Sequence, residues 1–199
     1  AKQAQLIVAD YNYIFNQHLS ESFLRKISKD LNECIVIVDE AHNLPARIRY
    51  SVSAKLTSAM IQRAIKEAQK YQYEETQNNL RILDKLFQGY HSELLSRRTE
   101  GKDTERLSSK AELMVGIELH KQYNDMISDL AYIGEAVQVL QKRSAIAGIA
   151  AFLEEWKGPD EGFTRILRLN NPKHGRKEWG VELSYQCLDP SVITANIID

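Results

Sequence analysis

The chain has 199 residues, 43% of them hydrophobic and 27% charged, which is globular composition and excludes a disordered polyampholyte. With 26 Lys and Arg against 27 Asp and Glu, the formal net charge of -1 excludes a global basic field, so any nucleic-acid contact must come from a local patch. Two cysteines, Cys34 and Cys187, exclude a disulfide scaffold and a self-contained four-thiolate metal site. Both sit among apolar residues and read as buried small hydrophobes. No apolar run approaches the about 18 residues of a membrane span, and residues 1–5 resemble no signal peptide, so an intracellular segment of a longer protein is expected.

Leu6-Ile7-Val8-Ala9 is the first recognisable element, an apolar run suited to a buried strand. Ile14 to Ser28 follows as an amphipathic helix, with Phe15, Leu19, Phe23 and Ile27 on one face. Cys34-Ile35-Val36-Ile37-Val38 is a second β-branched run without alternation. Two buried strands around a helix are the mark of a parallel α/β sheet.

Beyond Pro45 the character turns helical. Met60, Ala64, Ala68 and Tyr71 line one helix, and Leu80, Leu83, Phe87, Tyr90 and Leu94 form a seam along a second. Arg97 to Ser108 reads as an exposed charged loop, with Arg97 and Arg98 solvated among Glu100, Asp103 and Glu105. Ser109 and Glu112 make a capping box for a third helical stretch. Met126, Leu130, Ile133, Val137 and Leu140 continue the pattern after a break near Asn124. A last stripe, Ile146, Ile149, Phe152, Leu153 and Trp156, stops at Gly158-Pro159. Alternation returns at Phe163, Arg165, Leu167 and Leu169, and again at Trp179, Val181, Leu183 and Tyr185, where Trp179 falls on the core-facing stripe. The turn-rich linker 170–175 makes these two runs a hairpin.

The chemistry concentrates in Val38-Asp39-Glu40-Ala41-His42. A buried strand ending in two carboxylates delivers them to the C-terminal edge of a sheet, where open α/β folds bind ligands. There Asp39 would hold a hydrated Mg²⁺, which prefers one or two carboxylates plus phosphate oxygens. Glu40 would orient or deprotonate the water attacking a γ-phosphate, and His42 would sense that phosphate. No G-x-x-x-x-G-K-[ST] phosphate loop accompanies this string, since Gly101-Lys102 is followed by Asp103.

The string resembles the Walker B motif of DEAH-box superfamily 2 helicases. Ala9-Asp10-Tyr11-Asn12-Tyr13-Ile14-Phe15-Asn16 is similar to the segment preceding that motif in XPD/DinG-like helicases, with Asn16 in place of the usual Asp. Asp39-Glu40-Ala41-His42-Asn43-Leu44-Pro45 is similar to the family's own string, and residues 183–191 resemble the return into the first motor domain. The helical middle resembles the XPD Arch domain in position and length, by pattern alone.

This resemblance implies a mixed α/β fold, a mainly helical Arch-type insertion attached to a partial RecA-like motor-domain sheet. Residues 1–50 would be part of motor domain 1, 51–178 the Arch-like insertion, and 179–199 the return. It implies an ATP- and Mg²⁺-dependent 5′→3′ DNA helicase of nucleotide excision repair, with an iron–sulfur cluster whose cysteines lie outside this chain. Catalysis would use Asp39, Glu40 and His42, and the isolated chain would be inactive. Its partners would be single-stranded DNA and a repair or transcription-factor protein docked on the insertion. The compartment would be cytoplasmic in an archaeon and nuclear in a eukaryote; the lack of low-complexity segments points toward an archaeal enzyme.

Two basic groups combine charge with a nearby aromatic, as a single-strand groove requires. They are Arg47 and Arg49 beside Tyr50, and Lys173, Arg176 and Lys177 before Trp179. A different class of function, a non-catalytic helical module binding single-stranded DNA or protein, accommodates the same features.

Overall fold

The computed structural model describes residues 4, 6–101, 103–170 and 179–192. The chain divides into two units, one drawn from residues 1–53, 161–163 and 186–199, the other from 54–160 and 164–185.

In the first unit, α1 (Asn12–Phe15) and α2 (Gln17–Ile27) replace the single helix expected over 14–28. Asn16 divides them. Its backbone is extended and its side chain accepts from Leu19 N, which caps α2. Arg25 and Lys26 occupy the last turn of α2, the favourable end of the helix dipole. Phe15 and Ile27 are buried as expected, while Leu19 is exposed. A short 3₁₀ turn at Leu31–Glu33 follows, then a second at Ala41–Asn43 leading into α3 (Leu44–Ser51), whose first turn carries Pro45 and which buries Ile48.

The two expected strands do not form: residues 6–9 and 34–38 are irregular, and Ile35 and Ile37 are 94% and 87% exposed. The reason is pairing. A strand buried on both faces needs neighbours on its edges and helices above and below it. No described residue pairs with either run, so β-branched composition alone gives no sheet.

The second unit is where helical periodicity is realised. Its helices are α4 (Ser58–Lys70), α5 (Glu74–Thr99), α6 (Lys110–Glu118), α7 (Tyr123–Gln141) and α8 (Ala145–Trp156). Ile61, Ala64 and Ala68 of α4 are buried, as are Leu80, Leu83, Phe87 and Leu94 of α5. All five residues of the last stripe, Ile146 to Trp156, are fully or nearly fully buried on α8. Ser109 caps α6 by accepting from Glu112 N at 3.1 Å. Leu140 departs from its expected seam and is exposed beside the helix end at Gln141.

A four-stranded sheet joins these helices, in the order β1 (Ala54–Thr57), β4 (Gly180–Cys187), β3 (Phe163–Asn170), β2 (Glu105–Leu107). β1 pairs antiparallel to β4 with Ala54 opposite Tyr185, and β2 antiparallel to β3 with Leu107 opposite Ile166. The hairpin strands thus form at the expected places, while residues 171–175 of their linker lie outside the described residues. The expected loop 97–108 is shorter than its charge suggests. α5 continues to Thr99, with Arg97 and Arg98 in its last turn, and β2 closes the rest.

Alternation in β4 is also corrected, because both of its faces are buried. Glu182 accepts an ion pair from Arg168 and a hydrogen bond from Asn170 Nδ2, which makes a carboxylate admissible there. Trp179 is half-buried rather than a core-stripe residue, and the Arg98 guanidinium lies over its ring, 4.1 Å from the centroid. Arg98 is therefore stacked and not simply solvated.

Candidate functional site

Residues 39–43 form a tight turn built from their own polar groups. Asp39 Oδ1 accepts from Glu40 N at 2.9 Å, and the Asp39 carbonyl accepts from the Tyr11 hydroxyl at 2.8 Å. Glu40 adopts the left-handed conformation (φ 51°, ψ 40°), costly for a residue with a Cβ by about 1–3 kcal/mol. Its carbonyl accepts from Asn43 N at 2.9 Å, which starts the 3₁₀ turn. His42 Nδ1 lies 3.2 Å from Glu40 Oε2, an ion pair when the imidazole is protonated. Asp39, Glu40 and His42 are all exposed and lie in one short stretch. The Tyr11 contact ties this turn to the segment before α1, a link between two stretches that sequence reasoning had matched separately.

The donor chemistry suits a hard cation held weakly. Among the described residues the second Asp39 carboxylate oxygen has no partner, and no group of three His, Cys, Asp or Glu there could hold a metal. A Mg²⁺ here would therefore need phosphate and water oxygens, its usual coordination. An iron–sulfur cluster does not fit this chain. Four thiolates are needed, and the sequence has two cysteines. Cys187 is buried, which pushes its thiol pKa up, and its backbone N–H donates to Ser53 Oγ at 3.0 Å. Cys34 is half-buried and donates its thiol to the Asp30 carbonyl at 3.3 Å.

Arg47, Arg49 and Tyr50 are exposed on α3, with Ile48 between them turned inward. Lys173, Arg176 and Lys177 lie outside the described residues.

Residues 1–61 match the DEAD_2 family. That span contains the Tyr11 segment, the turn at Asp39 and the basic face of α3. A stretch of 70 residues is 40% identical to the "Regulator of telomere elongation helicase 1 homolog" of Caenorhabditis elegans. The protein of the same name from Caenorhabditis briggsae is 39% identical over 70 residues. Each match covers 35% of this chain and 7% of the relative, so the chain spans a small part of the proteins it resembles. The DEAD_2 segment is similar to superfamily 2 helicase sequence, and the observed fold is mixed α/β. Among the described residues no helix is long and apolar enough to cross a membrane.

Proposed function

We propose that the chain is part of an XPD-like, ATP-dependent 5′→3′ DNA helicase, and that residues 51–178 are the Arch-type insertion of that enzyme. One observation carries this reading: Asp39-Glu40-Ala41-His42 closes a β-branched run inside the segment that matches DEAD_2 and helicase relatives. The exposure of Ile35 and Ile37 supports it, because residues 6–9 and 34–38 carry strand composition without a sheet to enter. In the full-length protein these runs would pair within a RecA-like motor sheet and bring Asp39 to its edge.

Bound there, Mg²⁺–ATP supplies the electrophilic phosphate. Asp39 would hold the hydrated cation through one oxygen, Glu40 would orient or deprotonate the attacking water, and His42, 3.2 Å from the Glu40 carboxylate, would link the site to neighbouring structure. Arg47, Arg49 and Tyr50, with Lys173, Arg176 and Lys177, are proposed single-strand contacts. Nucleotide excision repair is the proposed setting, with the iron–sulfur cluster held elsewhere in the parent.

The test is single-strand-stimulated ATP turnover of the full-length protein, wild type beside Asp39→Asn. Turnover should fall at least about 100-fold in the variant while single-strand affinity stays within about threefold, since the amide keeps shape and loses the anionic ligand. Unchanged turnover would sink the Walker B role. A wild type without turnover would favour the non-catalytic binding module.

A further inference from the structure

The turn between α4 and α5 borders a cavity of ≈380 Å³ that the helicase reading does not use, large enough for a long side chain. Its wall is acidic: Glu74 and Glu75 come from the first turn of α5, and Asp129 from α7. Tyr73 and Tyr132 line the same space.

Two further side chains make this more than an acidic patch. Thr76 and Asn79 are 4% and 6% exposed and both line the cavity. Asn79 Nδ2 donates to Asp129 Oδ2 at 3.4 Å, while Asn79 Oδ1 and the Thr76 hydroxyl have no partner among the described residues and reach the cavity surface. Both oxygens are therefore open to accept from a donor that enters the cavity.

The chain already places one cation at this wall. Lys121 Nζ bonds Asp129 and lies 3.5 Å from Glu75 Oε1, and the Asp129 bond holds its pKa above the ordinary lysine value. Three carboxylates against one ammonium leave the wall net negative, which repels phosphate and attracts a second cation. Glu74, the two unpaired acceptors and the two tyrosines remain for that second group.

We propose that this cavity receives an arginine side chain presented by a basic segment of a partner protein. A guanidinium supplies five donors in one plane and stacks on aromatic faces, which matches separated acceptors between two tyrosines. An ammonium of similar charge offers three donors and no plane. This assignment stands apart from the ATPase reading, because it uses no residue of the DEAD_2 segment.

The probe is a fluorescein-labelled octapeptide of alternating glycine and arginine, titrated into the full chain and read by anisotropy. Glu74→Lys should weaken binding by about tenfold, or 1.4 kcal/mol, and Tyr132→Ala by a similar factor. Both residues are exposed, so their thermal midpoints should stay near wild type and report folding directly. Thr76→Val should weaken the arginine peptide more than the matching lysine peptide. Equal affinity of wild type and Glu74→Lys would overturn the proposal, as would undetectable binding to the wild type. Displacement of the peptide by spermidine at equal or lower concentration would make this a small-polycation site and overturn the protein partner.

Discussion

The guanidinium of Arg165 lies 4.6 Å from the ring centroid of Tyr185, on the strand beside its own. Trp156 covers it from another direction at 5.1 Å. Between the rings, Arg165 Nη2 donates to the carbonyls of Trp156 (2.9 Å) and Gly158 (2.8 Å), and Nη1 pairs with Asp160. Tyr185 completes the knot by donating its hydroxyl to the Pro159 carbonyl at 2.7 Å. One buried cation therefore holds the end of α8 and the turn after it onto the sheet.

Arg165→Leu should destabilise the chain by about 2–4 kcal/mol, because it strips donors from one buried and one part-buried carbonyl. Asp160 is largely exposed, so Asp160→Asn should cost under about 1 kcal/mol. Urea unfolding of both variants checks the contrast. Equal losses would mean that the ion pair, rather than the carbonyl contacts, carries the effect.

A second network predicts a pH dependence. Arg106 donates to both carboxylate oxygens of Glu93 and of Glu112, and Ser108 Oγ adds a bond to Glu112 at 2.8 Å. The Arg106 hydrogen bonds, ahead of the Ser108 and Ser109 contacts, hold the Glu112 carboxyl below its ordinary 4.5. A carboxyl depressed by folding contributes stability that is fully present above the unfolded value and is lost as pH falls through the folded one. The stability gap between wild type and Glu112→Gln should therefore be constant from pH 7 to about 5.5 and shrink below 4.5. Unfolding midpoints measured from pH 7 to 3 test this; a gap unchanged at pH 3 would show that Glu112 is not the titrating group.

These two networks also mark how far the sequence could be read. The helices were legible because each buries one stripe, so spacing alone revealed Leu80 to Leu94 and Ile146 to Trp156. Arg165 was visible only as a member of an alternating run; that its charge turns inward depends on Trp156 and Tyr185, which lie on other elements. Glu182 broke the alternation rule for the same reason, since its partners Arg168 and Asn170 lie on a neighbouring strand. Leu6 to Ala9 and Cys34 to Val38 failed in the opposite direction. Their composition describes a strand in a sheet, and composition cannot supply the neighbours. At the candidate site the string Asp39 to His42 stood out by its residue types after a β-branched run and by resemblance, whereas the left-handed Glu40 and the Tyr11 bond were not legible. The cavity of Glu74 and Asp129 escaped notice because its walls come from helices about fifty residues apart.

Helix packing offers a test in which one substitution should change sign with position. Gly134 sits on α7 where α8 crosses it, and a Cβ added there would meet the backbone N and Cα of Ala147 at 2.6 Å. Backbone cannot rotate aside as a flexible side chain can, so the helices must separate. Gly134→Ala should therefore cost about 1–3 kcal/mol despite the better helix propensity of alanine. Gly89 on α5 has nothing within 4 Å of its added Cβ. There the same change removes only the entropic disadvantage of glycine and should stabilise by roughly 0.5–1 kcal/mol. Thermal and urea unfolding of the two variants, each against wild type, decide the matter. Gly89→Ala raising the midpoint while Gly134→Ala lowers it would establish the close α7–α8 approach; a gain at both positions would mean that these helices do not pack backbone to backbone.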